Sequence, residues 1–131
     1  MRNQVEGDAI EYVVNYYSKR GCAVRNVTRV RGDHKGYDLL IVKGNERYTV
    51  EVKGCSRPYG IPDPYYTEFD PDTLRLVADL LCVVYFHPDR EPELAIIPRD
   101  AIPPAFVKAK ITYVISGKFK NERTIRRFIV Q

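Results

Sequence analysis

Residues 36–54 read GYDLLIVKGNERYTVEVKG. Two strand-like runs, 37–43 and 46–53, flank Gly44-Asn45, and both turn residues tolerate positive φ, so the stretch predicts a β-hairpin. Alternate residues of a strand share a face, so Glu51 and Lys53 project together while Val52 points to the other side. Asp38 stands about as far before the turn as Glu51 stands after it. Pairing therefore brings the two carboxylates together across the ladder.

Working outward, residues 5–20 predict an amphipathic helix, with Val5, Ala9, Ile10, Val13, Tyr16 and Tyr17 on one stripe and Gly21 as its stop. A short strand, 22–27, and a charged loop, 29–36, lead into the hairpin. Residues 57–71, with Pro58, Pro62, Pro64 and Pro71 among aromatics, predict an ordered covering loop. Asp72 is placed to cap a short helix over 73–79, followed by a buried strand, 80–86. A turn at 88–92, a strand at 94–97 and a second hairpin, 111–116 with 123–130, complete the chain. Helix and strands in this order predict an α/β fold with a mixed sheet flanked by helices. Residues 1–107 form the core, and 108–131 a basic hairpin extension of the same domain.

The 131 residues, 44% of them hydrophobic, suffice for a single core. No run approaches the ~18 apolar residues of a membrane span, and no signal-peptide pattern opens the chain. Three cysteines, Cys22, Cys55 and Cys82, form no CxxC pair, which argues against a disulfide framework or zinc knuckle and for a reducing cytoplasm. Neither a P-loop nor GxGxxG nor GxSxG is present, which removes nucleotide-driven and serine-hydrolase chemistry. Charge is divided: residues 108–131 carry seven Lys and Arg against Glu122 alone, while the rest of the chain is mildly acidic. That basic quarter, with Lys118, Lys120, Arg123, Arg126 and Arg127, points to a polyanion such as nucleic acid. A solvated hairpin whose lysines protect its edge would read the same way.

Asp38, Glu51 and Lys53 on one face are costly to bury unpaired. A hard divalent cation relieves the repulsion, because Mg²⁺ takes oxygen ligands and keeps several waters. Lys53 could then orient a water activated by the ion or steady charge at phosphorus. A surface strand of alternating, salt-bridged charges fits the spacing equally well. Glu6 lies within the apolar stripe of Ile10, Val13 and Tyr17, whereas Glu11 points to the polar side. An inward Glu6 wants a partner, and the Asp38/Glu51 site is one; stabilisation by the helix dipole is the other account.

The segments VEGDAIEYVVNYYSKRGCAVRNVT (5–28) and KGYDLLIVKGNERYTVEVKG (35–54) resemble the protein NO VEIN C-terminal-like domain, a branch of the PD-(D/E)XK nuclease superfamily. The carrying motifs are Glu6 on the opening helix, Gly36-Tyr37-Asp38 and Glu51-Val52-Lys53-Gly54, and the likeness extends over about residues 4–100. The resemblance implies a restriction-endonuclease-like fold. It also implies Mg²⁺ or Mn²⁺ held by Asp38, Glu51 and the Val52 carbonyl, with Lys53 assisting the water. Glu6 matches the superfamily's first acidic motif and is a further candidate ligand. Tyr37 replaces the usual proline, as in other members of this branch. The downstream glutamine of some branches is absent, which leaves substrate positioning unassigned.

His34 in the loop before Asp38 could touch phosphate, and Tyr59, Tyr65 and Tyr66 could stack on bases or simply pack the proline-rich loop. The expected function is a metal-dependent phosphodiesterase, a DNA endonuclease working as a homodimer in the cytoplasm. The alternative is a nuclease-fold module that binds nucleic acid or a partner protein without cutting.

Overall fold

The computed structural model describes residues 4–27, 36–63, 68–109 and 112–130. The opening helix, α1 (Gln4–Ser18), ends two residues before the expected 20, and the chain turns through 19–21, where Gly21 has a φ of 81° that suits a residue without Cβ. Strands β1 (Ala23–Asn26), β2 (Leu39–Lys43) and β3 (Glu46–Cys55) follow, with Gly44 at φ 61° in the turn between β2 and β3. Next come β4 (Leu80–His87), β5 (Arg90–Pro98), β6 (Phe106–Ala109), β7 (Thr112–Val114), α2 (Glu122–Ile125) and β8 (Ile129–Val130).

Six strands make one mixed sheet in the order β1-β2-β3-β4-β5-β8, antiparallel except for the parallel pair β3-β4. β3 is therefore interior, and its two faces bury different layers. Val50 and Val52 join Leu39, Ile41, Cys82 and Val84 beneath Ala9, Ile10 and Val13 of α1. The other face carries Leu81, Val83, Tyr85, Ala95 and Ile97. It is covered by Tyr59, Ile61 and Phe69 of the proline-rich segment and by Tyr113, Ile115, Phe119 and Ile125 of the C-terminal region. Among the described residues no helix is long and apolar enough to cross a membrane.

Three expectations are corrected. Residues 73–79 form no helix. The Asp70 carboxylate accepts from the amides of Asp72 (2.8 Å) and Thr73 (3.2 Å), closing a local turn that competes with helix formation. The chain then returns so that Phe69 bridges Leu76 in antiparallel fashion, and both side chains enter the core. Nor, among the described residues, do 112–116 and 123–130 pair with each other. β7 pairs with β6, so the extra hairpin lies earlier than expected. Asn121 caps α2 by accepting from the Thr124 amide at 3.0 Å, and β8 adds to the edge of β5 through Leu94–Val130 and Ala95–Ile129. The turn expected at 88–92 is also shorter, because β5 begins at Arg90.

Candidate active site

Asp38 ends the β2-β3 ladder. Its amide donates to the Val50 carbonyl (2.8 Å), and the next donor along β3, the Val52 amide, donates to Asp38 Oδ2 at 2.9 Å. A side chain thus replaces backbone where the two strands part. The N–H and C=O of one strand residue point to the same side, so the Val52 carbonyl is also directed towards this opening.

Alternation from Val50 and Val52 puts Glu51 and Lys53 on the face opposite α1. There Lys53 Nζ lies 3.5 Å from Glu51 Oε2 and 3.0 Å from Glu68 Oε2. Asp38, Glu51, Lys53 and Glu68 are 6%, 2%, 7% and 3% exposed. These values exclude a solvated strand of alternating ion pairs, because the charges lie in an interior strand. Burial, reinforced by the Asp38 and Glu68 carboxylates, raises Glu51 well above the usual carboxylate range. Burial opposes the charge on Lys53, but Glu51 and Glu68 outweigh it and hold the ammonium above its ordinary range.

Glu68 was missed by sequence reasoning. It follows Pro62 and Pro64 in a segment whose composition announces only an ordered cover, and no periodicity relates it to β3.

Glu6 is half-buried in the first turn of α1. That turn crosses β3 at Gly54, where an added Cβ would come within 2.8 Å of the Val5 carbonyl oxygen and Cγ1. Gly54 therefore lets the start of α1 close on the strand one residue past Lys53. Glu11 is exposed, on the polar side, as expected.

Residues 5–60 match the family described as protein NO VEIN, C-terminal. The NO VEIN match spans Glu6, Asp38, Glu51, Lys53 and Gly54, the residues that carry the resemblance, and stops short of Glu68 and the basic segment. No curated protein matches the chain. Among solved structures, the Archaeoglobus fulgidus Hjc, a Holliday junction resolvase from an archaeal hyperthermophile, is similar at 12% identity and a TM-score of 0.49. That similarity covers 88% of this chain and 86% of the resolvase chain.

Of the expected nucleic-acid contacts, Lys118, Arg123, Arg126 and Arg127 are exposed, while Lys120 is half-buried and lies 3.7 Å from Asp63. Arg126 pairs with Glu122 at 2.6 Å and covers the Tyr59 ring. Tyr59 is corrected to a core residue. It is 4% exposed, packs on Tyr85 and donates to Glu93 at 2.8 Å, so no face remains for a base. His34, Tyr65 and Tyr66 lie outside the described residues. His87 ends β4 with Nε2 2.7 Å from Glu93. Burial raises the Cys55 thiol, which donates to the Arg57 carbonyl at 3.0 Å, an inert arrangement rather than a nucleophile.

Proposed function

We propose that the chain is a divalent-cation-dependent phosphodiesterase acting on nucleic acid, with DNA the expected class. The supporting observation is the buried pair Glu51 and Lys53 on the interior strand β3, with buried Asp38 at the head of β2. Among the described residues no three His, Cys, Asp or Glu side chains stand in coordination geometry; the ligand set proposed is two carboxylates and a backbone carbonyl, completed by waters. Its donor chemistry fits a hard cation: among the described residues the buried carboxylates of Asp38, Glu51 and Glu68 gather around the Lys53 ammonium, and Glu51 bears the cost. Asp38, Glu51 and the Val52 carbonyl would hold Mg²⁺ or Mn²⁺, with Glu6 a further candidate. When bound, the ion supplies Lewis-acid polarisation of the phosphate and acidification of water.

Lys53 acts beside the ion. Its ammonium is fixed by two carboxylates, so it presents a preorganised positive charge to the attacking water or the developing phosphate charge. Substrate binding falls to Lys118, Arg123 and Arg127, whose segment is anchored by Phe119 and Ile125 on the same face of the sheet as Lys53. One such domain has one site, so cutting both strands of a duplex would take two copies.

The test incubates the protein with plasmid, single-stranded, branched and RNA substrates in Mg²⁺, Mn²⁺ or EDTA. Cleavage should require the ion. Lys53→Ala should lower the rate about 10²–10³-fold while Mn²⁺ still binds, and Asp38→Ala should lose the ion as well. A wild type that cuts nothing, yet binds DNA equally with and without EDTA, would instead be the non-catalytic binding module.

A further inference from the structure

We propose that Glu68 is a positioning residue for Lys53, holding the ammonium away from Glu51 so that Glu51 keeps its oxygens for the cation; this rests on the phosphodiesterase reading. The distances set the assignment. Lys53 Nζ makes its shorter contact with Glu68 (3.0 Å) and its longer one with Glu51 (3.5 Å). Glu51 alone would draw the ammonium fully onto itself, since no water competes at 2% exposure. The Glu68 carboxylate, a neighbour of Glu51, offers the ammonium a nearer partner and so competes with that pull.

Glu68 is built into place rather than reaching in from solvent. Its carbonyl accepts from the Val77 amide (2.9 Å), and Asp70 accepts from and donates to the returning chain at Leu74 and Arg75 (both 2.8 Å). Phe69, the next residue, is buried and stacks on Tyr113 with ring centroids 5.4 Å apart. A buried carboxylate on such a backbone has few alternative positions, which is what an orienting group requires.

The test replaces Glu68 with Gln, which keeps shape and an acceptor oxygen but removes the charge. Glu68→Gln should lower kcat about 10–100-fold with KM unchanged, while Mn²⁺ binding measured without substrate persists. Glu68→Asp should recover part of kcat. In ¹⁵N-lysine spectra of ion-free protein, the Lys53 ammonium, identified by its loss in Lys53→Ala, should be protected from solvent exchange in the wild type and altered in Glu68→Gln. An unchanged kcat with an unmoved Lys53 signal overturns the proposal. So does loss of Mn²⁺ binding in Glu68→Gln, which would make Glu68 a ligand. A wild-type Lys53 signal that exchanges like those of exposed lysines overturns it even where Glu68→Gln does not fold. The spectra need neither cleavage nor ion, so this outcome is separable from failure of the phosphodiesterase reading.

Discussion

The Asp38 carboxylate accepts a hydrogen bond from the Val52 amide at 2.9 Å, taking the place of a backbone partner where β2 and β3 separate. One side chain therefore both closes the ladder and faces the opening beside Glu51. Its two roles separate by substitution. Asp38→Asn retains an acceptor oxygen and should keep most of the stability while losing ion binding. Asp38→Ala strands the buried Val52 amide and should cost about 1–3 kcal/mol more in urea unfolding. Equal unfolding midpoints for the two variants would show that the hydrogen bond contributes nothing.

The close approach of α1 to β3 predicts opposite effects at two glycines. Gly54→Ala would force Cβ against the Val5 carbonyl oxygen and Cγ1, both at 2.8 Å, and should destabilise the fold by about 1–3 kcal/mol. Gly7 has nothing within 4 Å of an added Cβ, so Gly7→Ala should stabilise α1 by up to about 1 kcal/mol. Thermal unfolding of the pair checks both signs, and a harmless Gly54→Ala would mean that the first turn of α1 shifts freely.

Salt dependence should sort the basic residues. Lys120 and Arg126 already have carboxylate partners in Asp63 and Glu122. Neutralising Lys118, Arg123 and Arg127 together should therefore flatten the salt slope of duplex binding more than neutralising Lys120 and Arg126. Each lost phosphate contact removes about 0.9 from the slope. Anisotropy titrations at several salt concentrations measure it, and an unmoved slope would assign the segment to solubility.

Glu93 gives a pH signature away from the candidate site. Burial favours its neutral form, but donation from Tyr59 and contacts with His87 and Arg90 prevail and hold it below the usual carboxylate range. A depressed folded-state pKa contributes stability that is present above the unfolded value, about 4.3, and is lost as pH falls through the folded one. Glu93→Gln should thus be less stable than wild type at pH 7, with the gap closing below about pH 4. A gap that persists in acid would trace the loss to shape rather than charge.

Local chemistry made much of this protein legible from its residues. The Gly44-Asn45 turn and period-two alternation determine the β2-β3 hairpin, its register and the shared face of Glu51 and Lys53. The apolar stripe from Ala9 to Val13 determines which side of α1 is buried, and Gly21 the turn that follows it. These signals act over a few residues, where steric limits on φ and side-chain direction suffice. The parallel pairing of β3 with β4 joins Val50 to Leu80, and no local pattern announces it. Only that pairing makes β3 interior, turning charges that could have been solvated into a buried cluster. The tertiary structure likewise decided that Asp70 closes a turn where a helix was expected, and that Glu68 reaches Lys53. It also decided that Tyr59 belongs to the core and that the C-terminal segment covers the same face of the sheet. Each follows from burying apolar surface contributed by distant parts of the chain, which a sequence records as composition and leaves without an address.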